Sequence, residues 1–400
     1  MKFAHLADCH IGGWREGKLR DANARSFCLA IKTCLEEAVD FVLISGDLFN
    51  TAVPAIDSLR MAVEQLRRLK DAHIPIYIIA GSHDFSPSGK TMIEVLEHAG
   101  LVLNVARGEE LADGRVKLKF TVDEKTGVKL TGMIGKKGGL EVGYYDYLAK
   151  EHLEQESGMK IFLFHSALAE LKPKELEKMD AMPVSLLPAN FAYYAGGHVH
   201  VVDHKSIGPY KNIVYPGPIF PNNFSEVEKL QQGSFVIVTD GAVKHVPLKV
   251  HPTVCIRVDA NGKTPTDVSV LVKKELAKHE LTNAIVTIRV AGQLGAGRPA
   301  DVLWNDIFFD AYARNAYVVL RNTNALTSKE LDVMLVKEAS VEEVESALIQ
   351  EHATQVKLKD EDVLLTKKVM NVLAAEKAEG ERATDFEGRL SGELDRLFGG

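Results

Sequence analysis

Five apolar runs in the first half of the chain end on groups that bind metals or move protons. Met1–Ala7 leads into Asp8-Cys9-His10, with Gly12-Gly13 just behind. The later ones are Ile44-Ser45-Gly46-Asp47, Ile79-Ala80-Gly81-Ser82-His83-Asp84, Phe164-His165 and Gly196-Gly197-His198-Val199-His200. One strand that stops on a carboxylate, with an imidazole two residues on, aims both side chains at one point. A plain turn produces Asp-x-His often, so the constraint lies in the repetition. In open α/β sheets ligands sit beyond the carboxyl ends of the strands, and here five strand ends supply suitable groups.

The segments between them alternate in period. Lys2–Ala7, Phe41–Ser45 and Ile74–Ala80 read as strands. Ala22–Ala38 reads as a helix, with Phe27, Ala30, Ile31, Cys34, Leu35 and Ala38 on one face. Pro54 opens a second helix, roughly Ala55–Ala72, and Ser88–His98 forms a third, stopped by Gly100. This is the α/β pattern, with helices covering both sheet faces. Asn104–Ile134 differs: Val116–Val122 and Val128–Met133 alternate, broken by Asp113-Gly114 and Thr126-Gly127, and read as hairpins. The sheet therefore mixes parallel and antiparallel strands. A helix over Tyr144–Glu156 precedes the strand Lys160–Phe164, and Lys172–Lys178 is loosely helical. Phe191–Ala195 leads to the His-x-His, and Ile213–Tyr215, Ser234–Thr239 and Val243–Val250 close the region.

A chain of 400 residues exceeds one ordinary core. Pro252 marks a boundary, giving a first domain over 1–250. A small βαβαβ-like domain over 251–327 follows, built from Val254–Val258, Asp267–His279, Ile285–Val290, Val302–Arg314 and Tyr317–Leu320. Residues 328–400 form a helical tail: Ser340–Glu351, Asp360–Glu379 and Thr384–Phe398, the last with Phe386, Leu390, Leu394 and Leu397 at helical spacing. Packing on the parent chain and docking on a partner explain that stripe equally well.

The net charge of −7 argues against strong attraction to nucleic acid over the whole surface. It leaves room for a local basic groove or a bound cation. Cys9, Cys28, Cys34 and Cys255 form no Cys-x-x-Cys pair, and their scatter gives no disulfide framework. Cys9, between two candidate ligands, is expected to point the other way and pack. No apolar run reaches membrane-spanning length and no secretory leader opens the chain, so a cytoplasmic protein is expected.

Asp8, His10, Asp47, His165, His198 and His200 supply two carboxylates and four imidazoles. That exceeds one tetrahedral zinc and suits two ions of higher coordination, with Asp47 placed to bridge them. Oxygen and imidazole ligands without thiolate favour Mn²⁺, Fe²⁺ or Zn²⁺ over Ca²⁺. Two ions clamp a phosphate and lower the pKa of a water, and His83 is placed to protonate the leaving oxygen. A lone strand-end histidine is usually a hydrogen-bonded structural residue, which is the reading for His5, His98 and His152. Lys136-Lys137-Gly138-Gly139 reads as a solvated turn rather than a phosphate loop.

The motif series resembles that of the calcineurin-like metallophosphoesterases. The strings FAHLADCHIGG, LISGDLFNTAVP, IIAGSHD, YYAGGHVH and VYPGP narrow the resemblance to the SbcD-type, meiotic recombination eleven family of repair nucleases, in its archaeal form. The resemblance implies a sandwich of mixed β-sheets flanked by helices, a small α/β capping domain that touches DNA, and a helical tail. It implies one ion on Asp8, His10, Asp47 and His200, and a second on Asp47, Ser82, His165 and His198. The ions would be two Mn²⁺ per subunit, with His83 the acid. It implies exonuclease action on duplex ends and endonuclease action on single strands, in double-strand-break repair at the nucleoid. The C-terminal helices would bind an SMC-like ABC ATPase. Dimerisation would run through nuclease-domain helices, where Met61, Leu66, Leu69, Met92, Ile93 and Leu96 are candidates.

Two positions depart from the family pattern. Ser82 stands where an asparagine is usual, and a hydroxyl is a shorter, poorer donor to the second ion. Asn50 stands where some relatives carry a histidine. Two rivals remain: a small-molecule or cyclic-nucleotide metallophosphodiesterase, which needs neither cap nor tail, and a non-catalytic scaffold subunit, which needs neither the six strong ligands nor His83.

Overall fold

The computed structural model describes residues 1–86, 89–172, 179–328, 349, 360–375 and 383–398. The chain divides into two compact units, Met1–Thr253 with Asn283–Ile285, and Val254–Thr282 with Val286–Gly400.

Two six-stranded sheets build the first unit. One runs in the order β14 (Ala242–Leu248), β13 (Gly233–Thr239), β1 (Lys2–Leu6), β2 (Phe41–Ser45), β3 (Ile76–Ile79), β4 (Leu103–Asn104). The other runs β11 (Val202–Ile207), β12 (Tyr210–Pro216), β10 (Tyr193–Gly197), β9 (Lys160–His165), β8 (Lys129–Gly132), β7 (Thr121–Val122). Each has a parallel centre and antiparallel strands at an edge. A separate hairpin pairs β5 (Gly108–Glu110) with β6 (Val116–Leu118).

Alternation along each strand decides what covers it. Phe3, Phe41, Leu43 and Tyr77 of the first sheet pack on Ile161, Leu163, Tyr193 and Val214 of the second, forming a dry layer between sheets. The Phe3 ring stacks on Phe41 at 5.0 Å and meets Tyr193 edge-on at 5.2 Å. The opposite parity, Ala4, Leu6, Val42, Ile44 and Ile78, lies under α1 (Gly17–Glu36), α2 (Ile56–Asp71) and α3 (Met92–His98), through Phe27, Ile31, Leu66 and Ile93. On the far side Phe162, Phe164 and Tyr194 lie under α4 (Val142–Asp146) and α5 (Glu151–Gln155), through Tyr145 and Leu153. Truncating a fully buried ring such as Phe27 to alanine is worth about 3–5 kcal/mol.

The layering corrects one expectation. Each sheet has helices on one face only, and its other face meets the second sheet. Both faces of β1 and β2 are apolar either way, so the sequence pattern does not say which partner covers them. The helix expected over Tyr144–Glu156 is two short ones. Between them the backbone pairs with β6 instead: Val116 N donates to Tyr147 O at 2.8 Å, and Ala149 N donates to Val116 O at 2.9 Å. α3 starts at Met92, where Thr91 accepts from Glu94 N as N-cap. α1 begins earlier than expected, at Gly17. Of the dimer candidates, Leu66, Leu69, Ile93 and Leu96 are buried in the core and cannot supply a contact. Ile56 on α2 and Val95 on α3 are exposed instead, because those positions face away from the sheet.

Apart from their first residues, β15 (Thr253–Asp259) and β16 (Ile285–Leu294) belong to the second unit and form its sheet with β17 (Val318–Asn322), and β18 (Leu326–Ser328) also pairs β16. α7 (Pro265–Leu276) opens on a capping box between Thr264 and Asp267. Its Val268 and Val272, with Ile307 and Ala311 of α8 (Trp304–Ala313), are buried. α9 (Asp360–Leu373) and α10 (Ala383–Phe398) pack on one another. Apart from Lys172 and Ile349, the helices expected at Lys172–Lys178 and Ser340–Glu351 lie outside the described residues. Among the described residues no helix is long and apolar enough to cross a membrane.

Candidate metal centre

The carboxyl ends of β1, β2, β3, β9 and β10 meet at one edge of the sandwich. Neighbouring parallel strands place Leu6 beside Ile44, Ser45 beside Ile79, and His165 beside Gly197. The chain then turns abruptly. Asp8, His10, Asp47, His198 and His200 all have positive φ, from 41° at His10 to 97° at His198. Non-glycine residues rarely adopt such angles, and their clustering is a mark of a functional site. Two glycines are obligatory for close approach. A Cβ on Gly46, whose φ is 86°, would lie 2.3 Å from His165 Nδ1, and one on Gly81 would lie 2.3 Å from Asp47 Oδ1.

Five of the expected ligands and His83 fall into overlapping groups here, with Ser82 and His198 beside them. Asp8, His10 and His200 offer atoms within 4.8 Å of one another, as do His10, Asp47 and His83, and Asp8, Asp47 and His165. Asp47 is central: its Oδ2 lies 3.2 Å from His165 Nε2 and 3.7 Å from His10 Nε2. The Ser82 hydroxyl donates to the same oxygen at 3.3 Å. His198 presents its ring 5.1 Å from that of His165, while its backbone N–H donates to both Asp8 oxygens, at 2.9 and 3.1 Å. The His83 ring meets His10 edge-on at 4.8 Å. Cys9 points away into the core, as its place between two ligands requires.

Tautomers are set from outside the cluster. His165 Nδ1 donates to Ser45 O at 2.8 Å, and His83 Nδ1 to Asn50 O at 2.8 Å. His200 Nδ1 faces Glu226 Oε1 at 2.9 Å. Each leaves Nε2 for the site. His10 Nδ1 is buried without a hydrogen-bond partner, and His165 Nε2 faces the Asp47 carboxylate at 3.2 Å. His10 Nε2 and His200 Nε2 stand 2.9 Å apart, a spacing that needs a proton or a cation between the two nitrogens. The donor set thus asks for positive charge between its members.

The electrostatics say the same. Burial opposes charge on His165, but the Asp47 carboxylate outweighs it and lifts the imidazole to about 10. Burial against Asp47 is likewise overcome by His165 and His10, which hold that carboxyl far below its usual range. Burial, aided by His200, pushes His10 down to about 3, and burial with His165 takes His198 to about 4. Ionised carboxylate and neutral imidazoles are thus crowded together. The oxygen and imidazole donors fit divalent cations.

Two residues that the sequence reading gave no role hold the site in place. Asp84 is fully buried and accepts from Gly81 N at 2.8 Å, Asp47 N at 2.9 Å and Phe49 N at 3.4 Å, tying the β2 and β3 ends together. Burial, reinforced by Asp47, raises its carboxyl to about 7. Its position after Ser82-His83 was a usable signal. Glu226 comes from α6 (Phe224–Leu230), and nothing in the local sequence points to it. His5, His98 and His152 bond to Tyr193 Oη, Glu94 O and Leu118 O, outside the cluster.

A double sheet with carboxylates and imidazoles gathered at its strand ends is the architecture of one class of enzymes, and residues 1–202 match the model of that class; the chain belongs to the calcineurin-like phosphoesterase family. Within it the chain is similar to archaeal proteins named DNA double-strand break repair protein Mre11. The Archaeoglobus fulgidus protein is 29% identical over 58% of this chain and 52% of its own length. That of Methanococcus maripaludis is 31% identical over 57% and 59%, and that of Thermoplasma acidophilum 30% identical over 64% and 68%. The chain thus spans little more than half the length of the first of these relatives.

Proposed function

We propose that the protein is a divalent-metal-dependent DNA nuclease that hydrolyses phosphodiester bonds in double-strand-break repair. The observation that carries this is the clustering of Asp8, His10, Asp47, His83, His165 and His200, with the His198 ring against His165. The names of the archaeal relatives support DNA as the substrate.

In this reading Asp8, His10, Asp47 and His200 hold one Mn²⁺, and Asp47, Ser82, His165 and His198 hold the other. Two such ions supply Lewis acidity, offsetting phosphate charge and lowering the pKa of an attacking water. His83 does the proton work. Its Nδ1–H is held by the Asn50 carbonyl, so its Nε2 faces the site and, in the imidazolium, passes its proton to the leaving oxygen, returning the neutral ring. Asp47 stays ionised between the two halves, and Asp84 holds the loops that carry it. The nuclease acts from duplex ends and within single strands. Residues 251–327 touch DNA, and the tail over 328–400 binds an SMC-like ABC ATPase. Two copies pair through α2 and α3, with exposed Ile56 and Val95 in place of the buried candidates.

The test is cleavage of labelled duplex and single-stranded DNA in Mn²⁺, Mg²⁺ and EDTA, beside a chromogenic phosphodiester. Mn²⁺-dependent cleavage of both DNAs is expected. Hydrolysis of the small ester without DNA cleavage selects the small-molecule phosphodiesterase, and no hydrolysis of either selects the scaffold.

A further inference from the structure

We propose that Glu226 is a positioning residue: it fixes the tautomer and direction of His200, and so sets how tightly this half of the centre holds a divalent cation. The inference rests on the metal reading above.

The carboxylate is aimed and held. Its Oε1 lies 2.9 Å from His200 Nδ1 and accepts from Asn223 Nδ2 at 2.5 Å, and its Oε2 accepts from Asn222 N at 2.7 Å. An ionised carboxylate only accepts, so His200 must present Nδ1–H to it. The lone pair of Nε2 is then directed to the other side of the ring, where His10 Nε2 stands at 2.9 Å and Asp8 Oδ1 at 4.0 Å. A histidine ligand held by a carboxylate through its other nitrogen is oriented in advance and made more basic toward a cation.

The plain alternative is a helix cap. Glu226 is three residues after Asn223, the N-cap of α6, whose side chain accepts from Glu226 N. In a capping box the carboxylate at that position takes the N-cap backbone N–H. Here it takes the N–H of Asn222, one residue earlier, and turns Oε1 to His200. The same segment reaches the proton donor. Asn222 Nδ2 donates to Asn50 Oδ1 at 3.4 Å, and Asn50 O receives His83 Nδ1. His165 Nδ1 donates to the neutral carbonyl of Ser45 at 2.8 Å, with Asp8 Oδ1 farther off at 3.9 Å.

The experiment uses the full chain in two measurements. Calorimetric Mn²⁺ titration of the parent, Glu226→Ala and Glu226→Gln should give about 10–100-fold weaker binding in the tighter site for alanine. Glutamine should restore most of it, because its amide oxygen still accepts from Nδ1–H. Nitrogen-15 spectra of the metal-free parent should place the His200 proton on Nδ1. Parent-like Mn²⁺ affinity in Glu226→Ala, or a parent His200 protonated on Nε2, overturns the inference, and the second readout needs no variant to fold. A parent that binds no divalent cation defeats the metal reading itself.

Discussion

In the proposed two-metal reading, the two halves of the centre share Asp47 but are built differently. Asp8, His10 and His200 bring three side chains together, and His200 has a carboxylate behind it. On the other side are His165, His198 and Ser82. Here His165 Nδ1 donates to a backbone carbonyl, with Asp8 Oδ1 3.9 Å away, and the Ser82 hydroxyl is spent on Asp47. Ligand number is similar on both sides; what differs is how firmly each ligand is pre-aimed. The expectation is unequal affinity: a tight half at Asp8, His10 and His200, and a weaker half at Ser82, His165 and His198.

The largest effect should come from removing what the halves share. Asp47→Ala is expected to abolish tight Mn²⁺ binding in both and drop DNA hydrolysis to background, and one ion still bound tightly would break the shared-carboxylate picture. His83→Ala removes none of the proposed ligands, although the ring it deletes meets His10. DNA cleavage should fall about 10²–10⁴-fold, the range for a lost general acid, with both Mn²⁺ affinities kept.

A pH comparison of the halves must first be separated from the scaffold. His5 sits between the sheets on the strand that leads to Asp8, and burial, with His245 beside it, pushes it down to about 3. Its value is depressed relative to the unfolded chain, so the unfolded state binds the proton first. Stability is full above about pH 6.5 and is lost as pH falls toward 3. Urea unfolding in EDTA should show about 2 kcal/mol lost by pH 5 from this group. His5→Gln should flatten that slope, and an unchanged slope would show that His5 is not its source.

The smallest effect sharpens the comparison most. Ser82→Asn puts an amide oxygen where the hydroxyl stands, and the weaker Mn²⁺ step should tighten by about tenfold, or ~1.4 kcal/mol. Equal binding of both ions by the parent would remove the asymmetry.

Much of this was legible along the chain, and the failures have local causes. The strands before Asp8, Asp47 and His165 read cleanly because buried parallel strands are unbroken apolar runs. β11 was missed because Val202–Ile207 is polar and mostly exposed, an edge strand held by pairing with β12 alone. The split of α4 from α5 depends on Val116, far upstream, taking over the backbone groups near Tyr147 and Ala149. In the centre, the ligands stood at strand ends and could be named. Glu226 could not, because its partner His200 lies on another element and only the fold joins them.

By itself the sequence settled which residue types end which strands, and that the ends carry oxygen and imidazole donors without thiolate. Those are properties of short segments, governed by alternation and turn chemistry. That a second sheet, rather than helices, covers the inner face was implied by the family resemblance and not by the apolar pattern, and the fold shows it. The fold alone decided that five of the ligands twist into left-handed backbone to converge, and that Glu226 and Asp84 hold them there. Contacts between distant segments leave no period in the chain, so those decisions appear only when the strands lie side by side.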